Sequence, residues 1–333
     1  MSDALSWTPL HAKLHRVLRS RKLLPPASRL LVAVSGGQDS LCLIRLLSDL
    51  QPKWDWTIAI AHCDHRWRPD SGANADHIER LAKNWKIPFY RLTAEHISAS
   101  EAAARQWRYR VLGEVALSHN YDDLVTGHTA SDRAETLLYN LIRGSGADGL
   151  AALRWSRPLF PENPDSEVML VRPLLEITRS ETGDFCKNRN LEIWEDSTNA
   201  DLRHARNRIR RQLLPYLQTH FNPKAEGNLA RTAELLRADV DYLETEAEKL
   251  YEMAIGRDRD RPGVNRQSLK KVPLALQRRV MRRLLLEVGA KAVNFEQIEK
   301  LTALISAPNR SQTDPFPGGA IARVEGDWIT INN

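Results

Sequence analysis

Six consecutive residues, Ser35-Gly36-Gly37-Gln38-Asp39-Ser40, have the composition of a phosphate-binding turn. Two glycines let a backbone bend sharply and come close to a ligand. The N–H groups of a helix over Leu41 to Leu50 would then attract an anion, aided by the helix dipole. Ser35 and Ser40 add hydroxyls. No lysine follows the second glycine, so the turn is not a Walker loop, and the third glycine of a dinucleotide fingerprint is missing. A bare glycine pair would read more simply as a strand-to-helix turn with an N-cap. A second group lies in Gly127-His128-Thr129-Ala130-Ser131-Asp132-Arg133-Ala134-Glu135-Thr136. Asp132 and Glu135 are spaced to share one helix face. Two carboxylates there could hold a cationic substrate group, bind magnesium, or make surface ion pairs. Arg105 and Arg108 have the same spacing, suited to forked phosphate contacts or to a solvated face.

These residues need a scaffold, and the first half of the chain supplies one. Leu30 to Val34, Thr57 to Ala61, Pro88 to Leu92 and Asp123 to Thr126 are short apolar runs. Helical periodicity separates them, as in Asp76 to Trp85 and Ala102 to Leu117. Strands of this kind alternating with helices predict an α/β fold with a doubly wound, mostly parallel sheet. Ligands of such sheets sit beyond the carboxyl ends of the strands, so the loops after Val34, Ala61 and Thr126 should carry the chemistry. Ser156 to Glu167 is proline-rich and polar and reads as an exposed loop. Beyond Pro215 helical patterns dominate, which places a catalytic domain in residues 1–215 and a smaller, mainly helical one in 216–333. Gly319 to Ile331 reads as a terminal strand pair. Asp239 to Glu252 is an acidic, solvated helix face. Gln277 to Glu287 is a basic amphipathic helix carrying Arg278, Arg279, Arg282 and Arg283.

The 333 residues, 42% hydrophobic and 27% charged, suffice for two domains with a sizeable core. No apolar run approaches the roughly 20 residues that span a bilayer. The basic N-terminus lacks the apolar centre of a signal peptide. The three cysteines, Cys42, Cys63 and Cys186, are odd in number and far apart. That fits a reducing cytoplasm and excludes a disulfide scaffold or a Cys-X-X-Cys pair. The net charge of +6 suits a protein that meets polyanions. From Leu202 to Ala225 there are six Arg or Lys and no acid, and Arg206, Arg208, Arg210 and Arg211 are expected to touch nucleic-acid phosphates. Four liganding types stand together at His62-Cys63-Asp64-His65. Neighbours on a strand point to opposite faces, which is poor zinc geometry, so His65 and Arg66 read instead as nucleotide or RNA contacts or as buried, hydrogen-bonded groups.

The hexapeptide in its strand–turn–helix setting resembles the loop of the N-type ATP pyrophosphatases. With several further motifs in one order the chain is similar to the tRNA(Ile)-lysidine synthetase family. These are His62 to Ser71 (HCDHRWRPDS), Arg172-Pro173-Leu174-Leu175, Trp194-Glu195-Asp196-Ser197-Thr198-Asn199, and Arg206-Asn207-Arg208-Ile209-Arg210. It departs from the family at Thr129 and Ser131, where a histidine and an aspartate are usual, and at Arg133, where glutamine is common. The resemblance implies a cytoplasmic ligase using ATP with Mg2+, free L-lysine, and a tRNA(Ile) with a CAU anticodon, independent of membranes and compatible with a homodimer. It implies that Ser35 to Ser40 bind ATP, that Asp39 helps place the metal, that Arg105 stabilises phosphate charge, and that Asp132 and Glu135 hold lysine, with Asp132 a candidate for proton transfer. Two other readings are a tRNA cytidine 2-thiolase, which would need paired cysteines, and a non-catalytic RNA-binding homologue.

Overall fold

Leu30, Leu31 and Val32 are fully shielded from solvent, and the alternation of a strand sends them to opposite sides of one sheet. In the computed structural model, which describes residues 7–67, 69–96, 100–163, 166–194, 201–258, 261–290 and 293–332, Leu30 and Val32 join one core and Leu31 the other. The elements run α1 (Pro9–Ser20), β1 (Arg29–Ala33), α2 (Gln38–Trp54), β2 (Thr57–Asp64), α3 (Ser71–Trp85), β3 (Phe89–Thr93), α4 (Glu101–Ser118), β4 (Asp123–Thr126) and α5 (Ala130–Ile142). They continue with α6 (Ala147–Leu150), β5 (Ser156–Pro158), β6 (Met169–Val171), α7 (Arg179–Asn188), α8 (Ala205–Arg208), a π-helical turn (Ile209–Leu213), α9 (Leu214–His220) and α10 (Ala225–Ala254). The sheet order is β3-β2-β1-β4-β6-β5. All pairs are parallel except β5 with β6.

Register decides where the chemistry can be. Ala33 of β1 lies level with Ala61 of β2 and Thr126 of β4. The loops that follow these strands therefore leave the sheet side by side, at the point where the strand order reverses. The first apolar core is built largely from α1, α2 and α7 against this sheet, and the second from α4 with strand residues such as Ala59 and Leu124.

Ser156 to Glu167 corrects the expectation of a simple loop: Ser156–Pro158 is an antiparallel edge strand on β6. Its three polar or proline residues carry no strand signal, and the edge position tolerates the proline. The chain divides into compact units of residues 1–236 and 237–333. The expected boundary near Pro215 falls inside the first unit, because Ile209, Leu214, Leu217 and Leu229 pack with Ala134 and Leu138 of α5.

The second unit holds the end of α10, then β7 (Ile255–Asp258), β8 (Arg261–Asn265), α11 (Arg266–Leu269), α12 (Leu274–Glu287), α13 (Phe295–Ala303), β9 (Ile321–Glu325) and β10 (Trp328–Asn332). Beside the expected helices stands a four-stranded antiparallel sheet, β7-β8-β10-β9. The terminal pair was legible in sequence. β7 and β8 were not, because Gly256 and Gly263 stand where a Cβ would meet the Trp328 ring at 2.5 Å and the Ile329 carbonyl oxygen at 3.0 Å. The basic face of α12 is neutralised at several positions: Arg278 forks onto Glu299, Arg279 pairs with Glu244, and Arg283 with Glu248. Among the described residues no helix is long and apolar enough to cross a membrane.

One consequence for stability follows at β4. Burial, with help from Asp122, pushes the Asp123 carboxyl up to about 7. A carboxyl raised in the fold favours the folded state below its unfolded value of about 4, and that contribution is lost as pH rises toward 7. Asp123→Asn should therefore melt several degrees above wild type at pH 8 and close to it at pH 5, as calorimetry would show.

Candidate active site

The phosphate turn is shaped by contacts that only glycine permits. Gly36 has φ +91, and a Cβ there would lie 2.5 Å from Asn74 Oδ1. Asn74 Nδ2 donates to the Ser35 carbonyl at 3.0 Å, while its Oδ1 is buried without a hydrogen-bond partner. Gly37 is the N-cap of α2 and offers no side-chain cap, so N–H groups of the first turn remain for a ligand. Ser40 Oγ donates to the Gly37 carbonyl at 2.9 Å and lies 3.2 Å from Ser35 Oγ. These hydroxyls brace the turn as well as lining it.

Asp39 sits in the first turn of α2 and is buried. Thr182 Oγ1 donates to Asp39 Oδ1, and Arg179 Nη2 lies 2.8 Å from Oδ2. Burial pushes its carboxyl up, opposed by Arg179 and Thr182. Gln38 Nε2 ties the same turn to α7 through the Arg179 carbonyl at 2.7 Å.

The acidic pair lies beside it. At Gly127 a Cβ would come within 3.0 Å of the Asp39 backbone, so the start of the β4–α5 loop packs directly on the phosphate turn. Asp132 Oδ2 accepts from the Thr129 amide at 2.8 Å and from its hydroxyl at 2.9 Å, closing a capping box at the head of α5. Thr129 is thus a cap, which accounts for one departure from the family pattern. Burial opposes the Asp132 charge, but His128, the Thr129 amide, Arg179 and Arg210 outweigh it and hold the carboxyl below its usual range. Burial pushes the His128 imidazole down, Asp132 opposes this, and Arg172, Arg105 and Arg206 add to it.

Glu135 and Arg210 are brought together across the fold. Arg210 Nε and Nη2 donate to the two Glu135 oxygens at 2.6 and 2.8 Å, and Arg210 Nη2 lies 3.5 Å from Asp132 Oδ1. Of the four arginines expected to touch tRNA, two therefore line this site. Arg210 is forked onto Glu135, and Arg206 Nη2 donates to Thr136 Oγ1 at 3.1 Å. The physical reason is the π-helical turn at Ile209, whose side chain is buried against α5. Arg208 and Arg211 are exposed. Arg208 Nη1 donates to the carbonyls of Leu202 and Arg203, each at 2.8 Å.

Arg105 on α4 lies with its guanidinium 5.1 Å from the Tyr109 ring centre. Burial would raise the Tyr109 phenol, but Arg105, Arg172 and Arg157 together hold it below its ordinary value. These arginines form a cationic wall. Arg179 carries no signal in the sequence, and Tyr109 stands there only as a neighbour of Arg105 and Arg108. Tyr109 stands four residues after Arg105 on one helix face, a spacing that could have found it. Arg172 was quoted only within its Arg-Pro-Leu-Leu motif, and no spacing rule links it or Arg179 to Arg105. The other departures are structural. Buried Arg133 pairs with Glu234 at 2.8 Å and stacks on Trp155, and Ser131 donates to Glu226. Residues 195–200, which hold most of the Trp194 to Asn199 motif, lie outside the described residues.

Asp39 is a hard oxygen donor beside the phosphate turn, the donor type that magnesium takes. Among the described residues no three carboxylate, imidazole or thiol groups converge on a metal position. A magnesium ion here fits as one held by nucleotide phosphates and a single carboxylate, its commonest mode.

A family model described as the PP-loop domain matches residues 8–217, and one described as the TilS substrate binding domain matches residues 265–328. The tRNA(Ile)-lysidine synthase of a Nostoc species is 63% identical over 339 residues, covering 98% of both chains. That of a Synechocystis species is 51% identical over 326 residues, again covering 98% of both. Among solved structures, the U34-tRNA thiolase NcsA of Methanococcus maripaludis with its [4Fe-4S] cluster has a TM-score of 0.56 at 17% identity, covering 69% of this chain and 78% of its own. That likeness concerns the fold.

Proposed function

The chain belongs to the tRNA(Ile)-lysidine synthase family, and on that premise we propose that the phosphate turn and the Asp132 cluster perform the two halves of one ligation. The enzyme joins L-lysine to C2 of the wobble cytidine in a tRNA(Ile) with a CAU anticodon, driven by cleavage of ATP to AMP and pyrophosphate. The lysidine formed changes the tRNA from a methionine to an isoleucine specificity. The observation that carries the assignment is the packing of Gly127 on the Asp39 backbone, which sets the two half-sites against each other.

The C2 carbonyl of cytosine is a poor electrophile and its oxygen a poor leaving group. In the first step that oxygen attacks the α-phosphorus of ATP, and pyrophosphate leaves. The N–H groups of the α2 first turn bind the phosphates, and Arg105 in the cationic wall offsets the charge that develops. Magnesium, when bound with ATP at Asp39, neutralises phosphate charge. In the second step the lysine ε-amine attacks C2 and AMP leaves. That amine, with a reference pKa of about 10.4, must lose a proton. Asp132, ionised, orients the amine and takes the proton that its nitrogen sheds as the C–N bond forms, when that nitrogen is far more acidic than the free ammonium. Asp39, Asp132 and Glu135 face Arg179 and Arg210, so three carboxylates meet two guanidiniums. Asp132 is the carboxylate that meets the lysine cation. Glu135 acts through the arginine it grips, holding Arg210 beside Asp132.

A thiolase is disfavoured by the cysteines. Cys42 neighbours Cys186, yet both are buried; the hydrogen bond between them and burial push the Cys42 thiol up, and burial pushes Cys63 up to about 12. Thiols held protonated are poor sulfur carriers. Protein, ATP-Mg, labelled lysine and the CAU-anticodon transcript should yield a lysine-bearing cytidine on digestion. A thiolated cytidine with a sulfur donor, and none with lysine, would refute the reading.

The exposed Arg208 and Arg211 are assigned to tRNA phosphates, and the second unit, with its substrate-binding match, to tRNA outside the anticodon. Each contact to single-stranded nucleic acid adds about −0.7 to the slope of log K against log salt. Replacing both arginines with Gln should flatten that slope by roughly 1 to 1.5, with the Michaelis constants for ATP and lysine little changed. An unchanged slope with a lower melting temperature would mean that the two arginines serve the fold.

A further inference from the structure

One group of side chains at this end of the sheet has no part in the chemistry above. The chain leaves β2 at Asp64 and turns through Arg66, whose φ of +55 is left-handed. The Arg66 amide donates to Asp64 Oδ1 at 2.9 Å and fixes the turn. Trp67 follows and is 43% exposed. Its ring centre lies 5.5 Å from that of His65, with the planes tilted by 32°. His65 in turn meets Trp107 of α4 edge-on, at 4.8 Å. Arg108 Nε donates to His65 Nε2 at 3.2 Å, while His65 Nδ1 is buried without a hydrogen-bond partner. Three aromatic rings in a row, one of them exposed, stand beside the guanidinium of an exposed Arg108, and Arg66, also exposed, precedes Trp67 in the chain. The carboxylate close by, Asp64, is buried, bonded to the Arg66 amide and 4.0 Å from Arg91.

A Trp held against a second ring and open to solvent is poorly used as core. With cations beside it, it has the makings of a surface for single-stranded nucleic acid, where bases stack on aromatic faces and phosphates meet arginines. Its place in the fold is apt. β2 ends beside β1, whose exit is the phosphate turn, so this loop is the neighbour of the ATP site. To bring O2 of the target cytosine to the α-phosphorus, that base must be drawn from the anticodon stack, and a base next to it loses a stacking partner.

We propose that Trp67, backed by His65 and Trp107, is a stacking platform for a nucleobase adjacent to the target cytidine, with Arg108 on the neighbouring phosphate. The proposal rests on the tRNA-modifying reading above. It explains why an indole lies open at this loop, and it adds an RNA subsite distinct from Arg208 and Arg211.

The test measures binding of a CAU-anticodon stem-loop by the full-length protein and by Trp67→Ala, Trp67→Leu, Trp67→Phe and Arg108→Gln, over a range of salt. Loss of one base–aromatic stack should weaken affinity about 10-fold in the Ala and Leu variants, with an unchanged salt slope. Phe, which keeps an aromatic face, should stay within about 3-fold of wild type. Arg108→Gln should flatten the slope by about 0.7. Wild-type affinity in the Ala variant would overturn the platform, as would Leu binding as well as Phe, since apolar cover alone would then suffice. Lysine incorporation into full-length tRNA is measured with the same wild-type preparation. If wild type makes no lysidine, the underlying function is wrong; if it makes lysidine and Trp67→Ala binds normally, only the platform is wrong.

Discussion

Asp39→Ala is expected to abolish tRNA-dependent release of pyrophosphate, a loss of at least about 10²–10³-fold. The carboxylate stands in the first turn of α2, and in the proposed site that turn would receive the phosphates and Asp39 would hold magnesium. Because it is buried and gripped by Thr182 and Arg179, the Ala variant also loses some stability. Arg179, with a third of its side chain exposed, can turn to solvent, which limits that loss. Asp39→Asn separates the two effects. The amide oxygen can still accept from Thr182, but the group is a weak metal ligand. It should melt close to wild type and remain unable to release pyrophosphate. Wild-type-like release from a well-folded Asn variant would remove Asp39 from the nucleotide site.

Asp132→Asn should split the reaction instead. Its Oδ2 caps α5 through Thr129, a role that an Asn oxygen retains, so the helix start should persist. What is lost is the negative charge facing Arg210. Lysine incorporation should fall by about 10²-fold, while tRNA adenylation changes by only a few fold. The variant should therefore accumulate AMP-bearing tRNA when lysine is limiting, visible as a radiolabelled adenylate that co-migrates with tRNA. Equal loss of both steps would assign Asp132 to ATP or its metal.

The frame that holds these residues was legible because its signals are local. Leu30 to Val34 and Thr57 to Ala61 are continuous apolar runs, and buried parallel strands have that composition. The phosphate turn could be read because its glycines, its acid and its strand lie within a dozen residues. Long-range pairings left no such mark. Arg210 and Glu135 are 75 residues apart in sequence, and only the folded π-helical turn shows that an arginine from a basic run faces inward. Arg179 reaches Asp39 from a helix whose own pattern announces nothing but a capping box at Thr178. Arg133 looked like a substitution within a motif and is instead a buried ion-pair partner of Glu234.

If one site first activates the cytidine with ATP and then gives it to lysine, the two half-reactions can be run apart. The most direct measurement uses wild-type enzyme in two stages. Enzyme, radiolabelled ATP-Mg and CAU-anticodon tRNA(Ile) are mixed without lysine, and the tRNA is isolated from nucleotide. Fresh enzyme and lysine are then added without ATP. Pyrophosphate release and an AMP label on the tRNA are expected in the first stage. In the second, AMP should leave as lysidine appears in equal amount. A first stage that releases no pyrophosphate until lysine is present, or an isolated tRNA that needs new ATP to accept lysine, would contradict the two-step assignment.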